Sequence, residues 1–153
     1  MEFDAVDRRI LDILLHDGRA SHASVAKAVG LSAPAVGERV KKLEQAGVIR
    51  GYHAEIDPAA VGLTITAFVA IVPQPRKPAQ RLVERLVEFP EIEELHAVAG
   101  TSSFIAKVRV PDSVALDAFL DRLFTTEGVE RTETTMVLRT NLERHTALPF
   151  GAQ

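Results

Sequence analysis

The stretch that most constrains this fold is Ser21–Gln45, which predicts two short helices joined by a tight turn. Ser21 and Ser32 each precede a helical pattern, where a serine hydroxyl accepts a hydrogen bond from a free amide of the first turn. Gly30 lies where the first helix must end, because glycine adopts the left-handed conformation without a steric penalty. Pro34 favours the start of the second helix, since it removes an amide that has no helical partner there.

The second of these helices has two distinct faces. Its apolar residues recur at steps of four and three and therefore share one face; they are Val36, Val40 and Leu43. The positions left towards solvent are Ala35, Glu38, Arg39, Lys41 and Lys42. Small residues at the start of such a helix and cations further along are typical of a helix-turn-helix, whose second helix enters the major groove of DNA.

The charge distribution agrees with this interpretation, although the whole chain of 153 residues has a net charge of −3. Between positions 18 and 53, six lysines and arginines stand against two glutamates, which gives that segment a net charge of +4. A basic patch on one module is the expected footprint of a surface that binds phosphates.

Composition excludes several other classes of protein. There is no cysteine, so disulfides, thiolate metal sites and cysteine nucleophiles are ruled out. The five histidines are not spaced as ligands, so we expect neither a metal nor a cofactor. No apolar run approaches the length of a membrane span, and the acidic start lacks a signal-peptide core. These features predict a cytoplasmic protein that is not bound to a membrane.

The rest of the chain predicts two domains. A capped helix from Asp4 to Asp17 supports the helices of the motif, and Val48–Ile56 is rich in strand formers. We therefore assign residues 1–57 to a DNA-binding domain with a connecting strand. Residues 58–62, bracketed by proline and glycine, form a linker. Residues 63–145 follow as a second domain and residues 146–153 as a tail.

The sequence pattern of the second domain predicts strands and helices in the order βαββαβ, the ferredoxin-like arrangement. The strands are expected at 63–72, 92–99, 104–110 and 129–140, with helices from Pro78 to Phe89 and from Asp112 or Ser113 to Gly128. The predicted fold class is thus α+β, an N-terminal three-helix helix-turn-helix domain followed by a ferredoxin-like domain. Two helices cover one sheet face, and the other carries enough apolar residues to predict a dimer.

Residues along nearly the whole chain resemble the leucine-responsive/AsnC (feast/famine) family of transcriptional regulators. The matching positions are Asp7, Ile10-Leu11, Asp17-Gly18-Arg19, Gly30-Leu31-Ser32, Arg39-Val40, Leu43-Glu44, Gly47-Val48-Ile49, Gly51-Tyr52, Asp57-Pro58, Gly62 and Ala99-Gly100. The resemblance implies a regulator that binds double-stranded DNA as a dimer, assembles further into a tetramer or octamer, and senses an amino acid or related metabolite.

We predict DNA contacts along the second helix of the motif and at the helix N-termini. Arg39 is the first candidate, because it lies one turn beyond Ala35 and matches an arginine that the family keeps. Helix N-termini favour phosphate oxygens, and small side chains offer methyl contacts to thymine. With few base-reading side chains, specificity is expected to depend on DNA shape. The full predicted set is Ser21, His22, Ser32, Ala33, Ala35, Arg39, Lys42 and Arg50.

The candidate effector site is the turn before the third strand of the second domain. In the family this turn carries an aromatic residue and then an aspartate that pairs with the effector's amino group, but the matching residues here are Ser102 and Ser103. A serine hydroxyl accepts from an ammonium group without contributing negative charge. The segment is therefore as consistent with a plain turn as with a pocket. The predicted set is Gly100, Thr101, Ser102, Ser103, Thr134 and Met136.

The sequence leaves two other functions open. It shows no phosphate-binding glycine loop, nucleophile elbow or paired-carboxylate motif, so we do not expect an enzyme. Siroheme decarboxylases nevertheless resemble this family and use histidine and arginine, for which His96 and Arg109 are the nearest residues. The other alternative is an interaction module with a vestigial DNA-binding unit, against which the intact cations of the second helix argue.

Overall fold

The computed structural model describes residues 3–143, which divide into two compact units, 3–55 and 56–143. The first unit contains helices α1 (Ala5–His16), α2 (His22–Val29) and α3 (Ala33–Gln45). The second contains a 3-10 turn (Ala59–Val61), β1 (Ile65–Pro73), α4 (Ala79–Leu86), β2 (Ile92–Ala97), β3 (Phe104–Val110), α5 (Ser113–Thr125) and β4 (Val129–Met136). This order confirms the predicted three-helix domain followed by a βαββαβ domain.

The three helices of the first unit enclose a small apolar core. Its buried members come from all three helices, namely Ile10, Leu11, Val25, Ala26, Val36, Val40 and Leu43. The three on α3 are those that the sequence predicts. Asp4 caps α1, as predicted, through a hydrogen bond from the Asp7 amide to its carboxylate at 2.7 Å. Burial of these faces against one another fixes α2 and α3 on the supporting helix α1.

The second unit is a four-stranded antiparallel sheet of order β2-β3-β1-β4 with an apolar face under α4 and α5. Alternate residues of β3 are buried, as the sequence pattern predicts, and pair in register with buried residues of β1. These are Phe104, Ala106, Val108 and Val110 on β3, with Ala67, Val69 and Ile71 on β1. This face of β1 and β3 is the one that packs under α4 and α5.

Several element boundaries differ from the predictions; β1 begins at Ile65 rather than at residue 63, and α5 ends at Thr125 rather than at Gly128. Helix α4 ends at Leu86 rather than Phe89. The amides of Glu88 and Phe89 each donate to the carbonyl three residues earlier, so the chain tightens into a turn before Pro90. Strand β4 ends at Met136 rather than Thr140, one residue before a last backbone hydrogen bond from the Val137 amide to the Thr66 carbonyl at 2.9 Å. Similarly, β2 ends at Ala97, where the chain enters the turn to β3.

The predicted connecting strand is wrong for the single chain. Within the described residues, the segment from Val48 to Ile56 joins no β-ladder. A strand needs a neighbouring strand for its backbone hydrogen bonds, and this segment has none in the single chain. Several of its apolar side chains are exposed, among them Tyr52 and Ile56. The structural division falls between Glu55 and Ile56, slightly before the predicted linker. The predicted tail, 146–153, lies outside the described residues.

Candidate nucleic-acid interface and effector loop

The turn between α2 and α3 is built as the sequence predicts. The Ser21 hydroxyl accepts from the Ser24 amide at 3.1 Å, and the Ser32 hydroxyl accepts from the Ala35 amide at 3.3 Å. Gly30 ends α2 with a φ of 70°, a left-handed conformation that favours glycine. The two helices are thus joined through a short, hydrogen-bonded connection that holds the start of α3 at the surface.

Helix α3 turns one polar ridge to solvent, opposite its buried residues. The ridge, defined here as Pro34, Glu38, Lys41 and Gln45, follows the spacing i, i+4, i+7 and i+11, and all four residues are exposed. Lys42 is exposed beside it, whereas Ala33 and Ala35 are half-buried. Of the other predicted contacts, Ser21, His22, Ser32 and Arg50 are exposed. The ridge therefore faces solvent on the side of α3 opposite its buried residues.

Arg39 does not lie on this solvent ridge, which corrects the predicted orientation of its side chain. Its Nη1 atom lies 2.7 Å from Asp4 Oδ2 and 2.7 Å from Asp7 Oδ1, both on the first turn of α1 or its cap. The hydrogen bonds to Asp7 and then Asp4 raise the pKa of the Arg39 guanidinium. Arg39 is therefore committed to α1 by two charge-assisted hydrogen bonds.

The two aspartates that hold Arg39 also hold each other's backbone. The Asp7 amide donates to Asp4 Oδ1, and the Asp4 amide donates to Asp7 Oδ2 at 3.3 Å, which forms a reciprocal cap. The hydrogen bond from the Asp7 amide lowers the pKa of the Asp4 carboxyl most, and the hydrogen bond from Arg39 lowers it further. The Asp4 carboxylate therefore remains ionised near neutral pH, and the cap, Arg39 and α3 form one connected network.

His22 lies against α3 rather than simply facing solvent. A Cβ atom on Gly37 would stand 3.2 Å from His22 Nδ1, so the glycine leaves room for the imidazole ring. The first residue of α2 thereby contacts the middle of α3. This contact explains a glycine in a helix interior, where it otherwise costs roughly 1 kcal/mol relative to alanine.

Sequence reasoning missed a contact that anchors the segment after α3. The Tyr52 hydroxyl donates to Glu44 Oε1 at 3.1 Å, and an added Cβ on Gly18 would meet the Tyr52 ring at 3.7 Å. Partial burial of the ring raises the pKa of the Tyr52 hydroxyl, and the Glu44 carboxylate makes a second, smaller contribution in the same direction. An aromatic residue shortly after a helix end was the available signal, but the sequence does not indicate which residue it contacts.

The candidate effector turn is tied to the centre of the sheet. The Val98 amide donates to the Ser103 carbonyl at 2.9 Å, and the Ser103 amide donates to the Ile71 carbonyl at 3.2 Å. Gly100 has a φ of 152°, and the side chains of Thr101 and Ser103 are exposed. The turn thus displays hydroxyl groups and, unlike the family pattern, no carboxylate.

The predicted partners on β4 lie away from this turn within one chain. Ile71, next to the turn, pairs with Thr132, while Thr134 pairs with Val69 and Met136 with Ala67. Thr134 and Met136 therefore lie two and four residues further along the edge strand, on the opposite side of β1 from the turn. A single chain does not bring the predicted effector residues together, and their shared role stays a prediction.

A pocket of about 150 Å³ lies elsewhere in the second unit, between α4 and the turn from α5 to β4. Lys77 Nζ lies 3.2 Å from Glu127 Oε1 and Arg85 Nη2 lies 2.6 Å from Glu127 Oε2, so one carboxylate satisfies both cations. Those cations, Lys77 first, lower the pKa of Glu127. Arg81 also lines the pocket, so three cations face one carboxylate and the pocket keeps a net positive charge.

The sheet face that α4 and α5 leave uncovered combines an ion-pair network with an exposed aromatic ring. Arg109 pairs with Glu93 at 2.7 Å, and Lys107 pairs with Glu94 at 3.2 Å and also with Glu143. Phe68, which pairs in register with Lys107 and Thr135, keeps 43% of its surface exposed on the central strand β1. The face is thus more polar than the sequence pattern indicated.

The residues considered for an enzyme are engaged in this network. His96 Nε2 lies 3.0 Å from Glu94 Oε2, and Arg109 is held by Glu93. The hydrogen bond with His96 lowers the pKa of the Glu94 carboxyl most, and the hydrogen bond with Lys107 lowers it further. Within residues 3–143 no group of three or more histidine, aspartate or glutamate side chains is arranged to hold a metal. In the same range, no helix is long and apolar enough to cross a membrane.

A helix-turn-helix unit with an exposed, cationic second helix, joined to a ferredoxin-like domain, defines a DNA-binding transcriptional regulator with a separate sensing or assembly domain. Comparison with known families agrees. Residues 3–44 match the AsnC-type helix-turn-helix domain, and residues 66–147 match the Lrp/AsnC ligand binding domain. The chain belongs to the Lrp/AsnC family of transcriptional regulators.

Relatives of this chain share nearly its full length. It is 38% identical to the HTH-type transcriptional regulator FL11 of Pyrococcus abyssi over 98% of both chains. It is 42% identical to the HTH-type transcriptional regulator LrpA of Mycobacterium tuberculosis, covering 90% of this chain and 91% of that protein. A solved feast or famine regulatory protein from M. tuberculosis, complexed with L-methionine, is 40% identical to this chain and superposes with a TM-score of 0.91. The match covers 97% of this chain and 100% of that protein.

Proposed function

We propose that this regulator acts as a dimer that inserts α3 of each protomer into successive major grooves of double-stranded DNA. The observation that carries the proposal is the exposed ridge of α3 with Lys41 and Lys42 beside a closed, capped turn. Two such helices related by two-fold symmetry match half-sites about 34 Å apart. Assembly into a tetramer or octamer, which the family resemblance implies, belongs to the same proposal.

Within this proposal the predicted contacts have distinct roles. The exposed cations Lys42 and Arg50 neutralise phosphates, and the N-terminal residues of α2 and α3 direct amides and hydroxyls towards phosphate oxygens. These N-terminal residues are Ser21, His22 and Ser32. Ala33 and Ala35, half-buried at the start of α3, offer methyl groups to thymine only where the helix is fully inserted.

Replacement of Lys42 by glutamine tests the phosphate contact directly. The logarithm of the affinity for duplex DNA should fall with the logarithm of salt concentration, and Lys42→Gln should reduce that slope by about 0.9 for each phosphate that is no longer neutralised. A titration of labelled duplex by fluorescence anisotropy across a salt series measures it. Arg81→Gln, which removes an exposed cation from the second unit, is the matched control. Equal slopes for wild type and Lys42→Gln would contradict the assignment.

We also propose that the second unit binds an amino acid or related metabolite at the Gly100–Ser103 turn, completed by Thr134 and Met136 of a neighbouring protomer. Support comes from the match to a ligand binding domain and from the M. tuberculosis relative complexed with L-methionine. Binding would then favour one assembly over another and alter the spacing of the DNA-binding units. The missing carboxylate predicts weak affinity for an ordinary amino acid.

Ser103→Asp should restore that affinity. A charge-assisted hydrogen bond to the ammonium group is about twice as strong as a neutral one, so L-methionine should bind roughly tenfold more tightly to the variant. Isothermal titration calorimetry measures this, with Thr101→Asp as the control that adds the same charge two residues earlier in the turn. Equal gains in both variants would show a diffuse charge effect instead of a specific contact.

This regulator is proposed to work in the cytoplasm and without catalytic activity. The engaged positions of His96 and Arg109 support this over a siroheme-decarboxylase-like function. The visible absorption spectrum of protein purified from its native host distinguishes the two. A retained tetrapyrrole, with decarboxylation on incubation, would overturn the regulator-only assignment.

A further inference from the structure

Glu38 occupies the centre of the solvent ridge on α3. It is the sixth residue of the helix, in the second turn, flanked along the ridge by Pro34 and Lys41. It is exposed, and within the described residues it makes no hydrogen bond or ion pair. In a helix-turn-helix it is the N-terminal part of the second helix that approaches the base edges. The residue best placed to meet a base is therefore an acid.

The common explanation for such a residue is an ion pair along the helix. A glutamate four residues before a lysine is the favourable orientation for that pair, and Lys42 stands in that position after Glu38. The structure does not form it, nor the shorter-spaced pair with Lys41, although ion pairs of other helices are formed, such as Arg9 with Asp12 at 2.9 Å. Glu38 thus keeps its acceptor oxygens available.

The neighbouring arginine is not available for the same task. Arg39 is directed along α3 towards α1 and holds Asp4 and Asp7 at 2.7 Å each. Release of Arg39 for a base would leave Asp7, whose side chain is only 11% exposed, without its cation. Unpaired buried charge is costly, so the network opposes that movement. Base reading therefore falls to the ridge, on which Glu38 is the only charged acceptor.

We propose that Glu38 is a specificity-determining residue, which accepts a hydrogen bond from the N4 amino group of a cytosine in the major groove. The inference rests on the proposed function, because it requires α3 to enter the groove. A carboxylate near DNA is repelled by phosphates at every site, and that repulsion is offset only where a base presents a donor. Cytosine N4 is the donor that glutamate pairs with in the major groove. Specificity then comes from a direct contact, in contrast to the DNA-shape mechanism expected from sequence.

Selection of binding sites from a random duplex library tests this, with the full-length wild type, Glu38→Gln and Lys41→Gln in parallel. Wild type should enrich cytosine at one position of each half-site. Glu38→Gln should shift that position towards adenine, since glutamine pairs with adenine N6 and N7, with about a tenfold or greater change in discrimination. Lys41→Gln, the matched ridge control, should keep the base preference and reduce the salt slope by about 0.9 per phosphate. Both substitutions lie at exposed helix positions, and circular dichroism confirms folding.

Each outcome separates the inference from the function on which it rests. Wild type that binds duplex with a steep salt slope, while Glu38→Gln keeps an unchanged base preference and binds all sequences more tightly, would show that Glu38 is only a repulsive surface charge. That result overturns the inference and leaves the proposed function intact. Wild type that binds no duplex, even at low salt, would overturn both.

Discussion

Replacement of Arg39 by alanine should destabilise the helix-turn-helix unit by about 2–3 kcal/mol, because it leaves the Asp7 carboxylate largely buried without a cation. The Asp7 side chain is only 11% exposed, so water cannot fully replace the guanidinium. A three-helix unit of this size has little stability in reserve. Thermal or urea unfolding of the full chain, followed by circular dichroism, should show the first unit melting earlier than in wild type.

The same variant separates a positioning role from a DNA contact. If Arg39 acts through α1, Arg39→Ala weakens DNA binding only in proportion to the fraction of the unit unfolded, and the salt slope stays unchanged. Removal of a cation that binds phosphate would instead reduce the slope by about 0.9. Arg39→Lys keeps the charge and should recover part of the stability, since one ammonium group pairs less well with two carboxylates. An unchanged unfolding midpoint with a reduced slope would show that Arg39 binds DNA.

Local features of this chain were predictable because their causes lie within a few residues. The caps at Asp4, Ser21 and Ser32 and the left-handed Gly30 each depend on backbone groups no more than four residues away. The alternating burial of β3 likewise follows from a period of two. In each case the residue type and its neighbours determine the outcome, and the structure confirms it.

The features that sequence reasoning misjudged depend on distant or absent partners. Helical spacing predicts an exposed Arg39, because it leaves this residue off the apolar face, yet Asp4 and Asp7 lie 35 and 32 residues earlier in the chain. The segment from Val48 to Ile56 has the composition of a strand but, in the described single chain, no ladder to join. Position along a helix gives exposure only when no neighbouring element competes for the side chain.

The effector turn shows a third limit. Its backbone is well defined by hydrogen bonds to Val98 and Ile71, but the predicted partners Thr134 and Met136 lie across β1. Register can be assigned only once strand order is known, and strand order does not follow from the alternating pattern. A site completed by another protomer is therefore consistent with the geometry, whereas a site within one chain is not.

Replacement of Phe68 by glutamate should convert the proposed dimer into monomers. Phe68 lies on the central strand of the uncovered sheet face and keeps 43% of its surface exposed, roughly 80 Å² of a side chain of this type. Burial of that area contributes about 2 kcal/mol per protomer, or about 4 kcal/mol per dimer. Loss of both copies should weaken dimerisation roughly a thousandfold. Sedimentation velocity at micromolar concentration measures it.

The isolated protomer should tolerate this change, which makes the result interpretable. Residue 68 is exposed in the single chain, so a glutamate there stays hydrated and costs the isolated protomer little. Phe124→Glu is the control, because Phe124 is more exposed, at 61%, but lies on α5, across the sheet from this face. That variant should stay dimeric. Phe68→Glu should also bind DNA more weakly. A monomer presents a single α3, whereas in a dimer binding of the first α3 holds the second close to its half-site. Dimers that persist in Phe68→Glu would show that the protomers meet through another surface.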